Sequence, residues 1–233
     1  HVAVDDIIVA ATGDVRALAE PLDGPLVSAF RDKARELGIV VVLNLFERDG
    51  EATFDSSPVI DADGSLLGVT RMVHITEYAC FHEQGYYTPG DTGAPVFRTK
   101  VGNVGVAICY DRHFPEYMRA LALAGADLVV VPQAGAAGEW PEGLYEAETR
   151  VAAFQNGYFV ALCNRVGRED RLEFAGESFA CAPDGEVIAR AGQGATQPPQ
   201  PVQREGSTSG RALPPSCGRK RIATAAQTSP QLR

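Results

Sequence analysis

The stretch Val104 to Glu116, VGVAICYDRHFPE, places a cysteine at the end of an apolar run and follows it at once with Tyr110, Asp111, Arg112 and His113. If the run is a buried strand, Cys109 stands at its carboxyl end where the chain turns into a helix. Such a turn exposes the sulfur beside helical N–H groups that favour the thiolate, the form that attacks carbon. An inert core cysteine fits the same spacing, and spacing alone does not choose between the two. The other four cysteines have no equally polar surround: Cys163 and Cys181 lie inside strand patterns and read as core, Cys80 lies in a loop, and Cys217 lies near the end of the chain. Asp111 and Arg112 either shape a pocket beside Cys109 or anchor the turn. A metal site is not expected, since His74, His82 and His113 are scattered, with no two at ligand spacing on one predicted helix and no Cys-x-x-Cys pair.

Positioning a thiol this way requires strands that alternate with helices. PLVSAFRDKARELG has apolar residues at helical spacing and a glycine stop, and it leads into IVVVLNLF, which reads as one buried strand. SSPVI and LLGVT read as two strands joined by the turn DADGS, and a loop-rich stretch runs from His74 to Thr92. PVFRT and VGVAIC form a strand pair, the latter ending at Cys109. A helix follows from Pro115 to Ala124, where proline in the first turn costs no hydrogen bond. ADLVVVP is then a strand, PEGLYEAETRVAAFQN a helix, GYFVALCN a strand, and ESFACAP with EVIAR a hairpin around Asp184-Gly185. Interleaving of this kind implies an α/β architecture with function at the strand ends.

The 233 residues are 45% hydrophobic, enough for a sizeable core over residues 1–191. From Gly192 to Arg233 the composition changes to Pro, Gly, Ser and Gln, with six Lys/Arg against one Asp/Glu, and this segment reads as a disordered basic tail. The whole chain carries a formal charge of −9, which argues against nucleic-acid or anionic-membrane partners. The longest apolar run, Gly38 to Phe46, is too short to span a bilayer. An odd number of widely spaced cysteines, with no Asn-x-Ser/Thr sequon, favours a reducing cytoplasm.

GVAICYDRHFPEYMRALALAGADLVVVPQA resembles the nucleophile segment of the nitrilase, or carbon–nitrogen hydrolase, superfamily. GVTRMVHI, FHEQGYYTPGD, EAETRVAAFQNGYFVALCNRVG and FAGESFACAPDGEVIARA resemble further family segments in the same order. The likeness covers roughly Pro21 to Ala191 and is nearest to amidases of the β-ureidopropionase type, which act on N-carbamoyl compounds. It implies a four-layer α-β-β-α sandwich, commonly paired into dimers or larger assemblies. It also implies hydrolysis of a small amide or N-carbamoyl substrate through a cysteine thioester, with no metal or organic cofactor. On that likeness Cys109 matches the nucleophile, the Tyr110 N–H an oxyanion donor, and Glu83 the second glutamate of the site. Glu148 and Arg150 fall on the following helix, either as a structural ion pair or as substrate contacts. Arg112, Arg150 and Arg165 are candidates to hold a substrate carboxylate.

Two positions depart from the family pattern. Met72 occupies the place of the catalytic lysine, and neither neighbouring cation replaces it: Arg71 would face the other side of the strand, and His74 stands a strand step of roughly 7 Å away. No Pro-Glu pair precedes Met72 to supply the general base, and Glu20 belongs to a later segment. The likeness therefore implies that the first strand, first helix and base glutamate are missing, and that the tail from Gly192 replaces the family's last strand. Two functions follow: a carbon–nitrogen hydrolase, or a non-catalytic relative or fragment that keeps the fold for binding or assembly.

Overall fold

The computed structural model describes residues 15–78, 81–169 and 172–191, so the tail expected from Gly192 lies outside the described residues. Helix α1 (Pro25–Leu37) starts on Pro25 and stops at Gly38, which takes the left-handed conformation (φ 63°). From there Gly38 and Ile39 both return their N–H groups to the Ala34 carbonyl. Its inner face, Val27 and Ala34, packs with Val41, Leu43, Leu45 and Ile60 of the sheet beneath.

That sheet is antiparallel. It contains β1 (Val41–Val42), β2 (Leu45–Asp49), β3 (Ala52–Ile60) and β4 (Leu66–Arg71), with β3 central. The single strand expected over residues 39–46 is instead β1 and the start of β2, separated by Leu43 and Asn44. Opposite the break is Pro58, whose carbonyl accepts from Leu43 N–H at 3.1 Å but which has no N–H to return. Asn44 turns its side chain onto Asp55 (2.7 Å) and Ser57 (3.3 Å). The DADGS turn joins β3 to β4 as expected. The loop-rich stretch after it holds two short paired strands, β5 (Glu77–Tyr78) and β6 (Phe81–His82).

The second sheet contains β7 (Val96–Thr99), β8 (Gly102–Val106), β9 (Leu128–Gln133), β10 (Phe159–Asn164), and, beyond a small hairpin, β13 (Phe179–Cys181) and β14 (Val187–Arg190). Its order is β14-β13-β10-β9-β8-β7. Strands β8, β9 and β10 run parallel, linked by α2 (Pro115–Leu123) and α3 (Leu144–Asn156). The hairpin, β11 (Val166–Arg168) with β12 (Glu173–Ala175), has no sequence signal strong enough to separate it from the flanking strands.

Alternation along the parallel strands builds the layers. Val104, Leu128, Val130 and Ala161 face the first sheet and meet Val42, while Val129, Val131, Val160 and Leu162 face α2 and α3, meeting Tyr117, Met118, Leu121 and Ala153. Between the sheets Val59 and Met72 pack on Val106 and Ile108. The result is the α-β-β-α sandwich, with α1 covering one sheet and α2 and α3 the other.

Candidate active site

Strand β8 ends at Val106, and its register runs on through Ala107, whose N–H reaches Val130 O at 3.0 Å. The chain then enters a short 3₁₀ turn, Cys109–His113, with Ile108 still extended and Cys109 at φ 46°. Outside glycine, only Cys109 and Glu177 have positive φ among the described residues. A side chain in this region costs about 1–2 kcal/mol, so neighbouring contacts must hold it. Asp111 N–H returns to Ile108 O at 2.9 Å, and the Arg112 guanidinium donates to the Cys109 carbonyl at 2.7 Å.

Asp111 is the anchor of the turn. Its fully buried carboxylate accepts from Val73 N–H (3.2 Å), His74 N–H (2.9 Å) and His74 Nδ1 (2.7 Å), tying the turn to the segment after β4. Burial raises its pKa to about 6 against those stabilising donors. The His74 ring stacks on Phe114 with centroids 3.5 Å apart.

Three tyrosines, Tyr78, Tyr87 and Tyr145, lie within electrostatic reach of Cys109. Burial is the main cause that pushes each phenol well above its ordinary range, so all three are neutral donors near pH 7. Tyr87, whose buried hydroxyl has no hydrogen-bond partner among the described residues, also feels Asp55 and Glu83. Glu83 is itself buried, at the start of a 3₁₀ turn, and its carbonyl receives the Tyr86 and Tyr87 N–H groups. Glu139, in the loop from β9 to α3, accepts from Tyr78 OH, from Tyr145 OH (2.8 Å) and from Ala136 N–H (2.7 Å). Tyr78, Tyr110, His113 and Trp140 form an aromatic wall with neighbouring centroids 5.0–6.2 Å apart.

Met72 is fully buried in the cluster of Val59, Val106 and Ile108, against which Cys109 and Tyr110 also pack. Arg71 faces away, as strand alternation requires, bound to Glu47 (2.6 Å), Asp49 (2.8 Å) and Asp91 (3.1 Å). His74 is held by Asp111. No group of three or more His, Cys, Asp or Glu side chains suited to a metal ion occurs among the described residues.

The helix residues separate. Glu148 pairs with Arg112 and His113, not with Arg150. Residues two apart on a helix point to different sides, so Arg150 instead meets Glu146 at the i, i+4 spacing and the Gly185 carbonyl (2.8 Å). That corrects the ion pair expected between Glu148 and Arg150 and leaves Arg150 in the middle of α3, turned toward the Gly185 carbonyl between β13 and β14. Arg165 is engaged by Glu169 and the Phe174 ring. Cys181 is core, its thiol pushed by burial up to about 11, and Cys163 is half-buried; Cys80 and Cys217 lie outside the described residues.

Sequence reasoning does not single out Glu139, Tyr78, Tyr87, Tyr145 or Trp140. The usable signal for Glu139 and Trp140 is positional, since they follow the carboxyl end of a parallel strand. A second signal is Gly135: a β-carbon there would collide with the Tyr145 hydroxyl, so the close approach needs glycine.

A family profile described as carbon-nitrogen hydrolase matches residues 8–197. Over 188 residues the chain is 38% identical to an N-carbamoylputrescine amidase of Solanum lycopersicum, covering 75% of this chain and 63% of that protein. Over 154 residues it is 40% identical to a beta-ureidopropionase of Arabidopsis thaliana, covering 65% of this chain and 38% of that one. Among solved structures it resembles a mutant of the amidase from Nesterenkonia sp. AN1 that shows covalent addition of the acetamide moiety of fluoroacetamide at the active-site cysteine. That likeness has a TM-score of 0.64 at 30% identity and covers 72% of this chain and 62% of that one. The chain thus spans under two thirds of the length of these curated relatives.

Proposed function

Because this chain belongs to the carbon–nitrogen hydrolase family, we propose that it cleaves the C–N bond of a small linear amide or N-carbamoyl compound with Cys109 as nucleophile. The observation that carries this reading is the left-handed Cys109 at the carboxyl end of a parallel strand, with Tyr78, Tyr87 and Tyr145 within electrostatic reach of it and the buried Glu83 against Tyr87. The relatives' names add the substrate class, and the cysteine adduct in the Nesterenkonia amidase supports the sulfur as the attacking atom.

In this reading the Cys109 thiolate adds to the carbonyl carbon, and the developing oxyanion takes the Tyr110 N–H as a donor. The C–N bond then breaks, and the departing nitrogen takes up the proton that the Cys109 thiol gave up, leaving as ammonia or an amine. Water adds to the thioester, one of its protons returns to the sulfur as the C–S bond breaks, and the acid and free thiol are released. Glu83 orients the reacting groups. Arg112 and Glu148 border the site, while Arg150 stands apart from it. The same reading has the protein work in the cytoplasm as a homo-oligomer.

A second reading is favoured by Met72, which puts an apolar side chain beside the sulfur where the likeness has a cation. Without that cation the fold would bind amides or assemble without turnover. Ammonia release from N-carbamoyl-β-alanine, N-carbamoylputrescine and butyramide decides between the two, with Cys109→Ala as the control. Release that disappears in Cys109→Ala supports the hydrolase. No release above that control from any of the three rejects it.

A further inference from the structure

Arg112 is buried, and its guanidinium is engaged on several sides by protein. Nη1 donates to the Cys109 carbonyl at 2.7 Å, Nε stands 3.3 Å from Glu148 Oε2, and the guanidinium carbon lies 4.7 Å from the Tyr145 ring centroid. Tyr145 and Glu148 are three residues apart on α3, so one helix face offers a ring and a carboxylate to the same guanidinium. The second oxygen of Glu148 pairs with His113 Nδ1 at 2.7 Å. Arg112 and His113 both belong to the nucleophile turn, and both are held by this one carboxylate. The carbonyl that Arg112 holds is that of Cys109, the residue at φ 46°.

A buried guanidinium needs its charge partner, and removing that partner lets it swing toward water or another carboxylate. The Nε–Oε2 contact is an ion pair and not a hydrogen bond, so Glu148 holds Arg112 by charge while Nη1 makes the directed bond to the Cys109 carbonyl, an arrangement that a lysine's single ammonium does not reproduce. We propose that Glu148 is a positioning residue for Cys109: acting through Arg112, it holds the Cys109 carbonyl and with it the left-handed backbone that presents the sulfur. The role rests on Cys109 being the working thiol, but its geometry is testable without turnover. It also removes Arg112 as a free anchor for a substrate carboxylate.

The test is the rate of Cys109 alkylation by iodoacetamide in the full chain, mapped by peptide mass spectrometry, with Cys163 in the same digest as reference. Glu148→Gln and Arg112→Lys are each expected to slow Cys109 on the order of tenfold at unchanged Cys163 rate and circular dichroism. Glu148→Asp is expected to restore part of the rate, and Glu146→Gln, whose carboxylate on the same helix pairs with Arg150 and Arg190, to stay within about twofold of wild type. A folded Glu148→Gln that labels at the wild-type rate would overturn the proposal, and so would an equal slowing in Glu146→Gln. If Glu148→Gln does not fold, Arg112→Lys decides, since it keeps the charge opposite Glu148 and loses only the fork. A wild-type Cys109 no faster than free cysteine, yet slowed further by Glu148→Gln, would keep the positioning role while rejecting the hydrolase reading.

Discussion

Met72 belongs to the buried apolar cluster against which Cys109 packs, so it offers dispersion contact but no charge; in the proposed hydrolase its side chain bears on how much oxyanion stabilisation the site supplies. Replacing one such donor in an acyl-transfer site changes turnover on the order of 100- to 1000-fold. Met72→Lys is accordingly expected to raise ammonia release by a factor in that range, measured as kcat at unchanged protein concentration. It is also expected to lower the melting temperature, because the new ammonium enters a fully buried apolar cluster. A fall in melting temperature with no gain in turnover would favour the non-catalytic reading. Asp111 gives a second test. Its folded pKa of about 6 lies above the ordinary 3.8, so between those values the folded chain holds a proton that the unfolded chain has released. Its contribution to stability is therefore greatest below about pH 4, declines as pH rises to about 6, and is flat above. The decline is on the order of 1–3 kcal/mol. Urea denaturation at pH 4.5 and 6.5 should show this slope in wild type relative to Asp111→Asn. Parallel curves for the two proteins would reject it. Cys109 and Met72 are legible from the sequence because a strand end and a short motif frame them. The partners of Arg112 and Glu148 are not, because a helix and a turn 36 residues apart meet only in the folded chain.

Parallel strands with apolar residues at nearly every position are legible in runs such as ADLVVVP, since burial on both faces leaves no other pattern. Helix α1 is equally plain from its periodicity and its Pro and Gly ends. The break between β1 and β2 is hidden, because Leu43 and Asn44 depart from the strand for the sake of Pro58 across the ladder, a non-local cause. The loop between β9 and α3 is hidden for a different reason: its Glu139 and Gly135 are explained by Tyr78 and Tyr145, which come from other elements. In Gly135→Ala the new methyl would collide with the Tyr145 hydroxyl, so the ring, the Glu139 bond and the face that Arg112 rests on must all shift. Overpacking of this kind costs about 1–3 kcal/mol. The expected outcome is a lower denaturation midpoint together with slower Cys109 labelling. A midpoint shift without a labelling change would mean that Tyr145 does not support the nucleophile turn.

Across the whole molecule, the two sheets bury their inner faces against each other, and α1 covers one outer face. The layer of α2 and α3 buries Tyr117, Met118, Leu121 and Ala153 inward while leaving Leu123 81%, Phe154 68% and Val151 51% exposed. Val151 and Phe154 are one helical turn apart and so share a face of α3. Adjacent exposed apolar side chains on packed helices are costly to leave in water and favour association of copies. The homo-oligomer proposed for this protein would use that layer, and α3 also carries Tyr145 and Glu148 on its inner side toward the nucleophile turn. Sedimentation of the full chain is expected to give a dimer or larger species, and Phe154→Glu to move it toward monomer. If the site is supported from this helix layer, the monomeric variant should also label more slowly at Cys109. Dissociation with an unchanged labelling rate would separate assembly from the site, and a wild-type monomer would reject the oligomer outright.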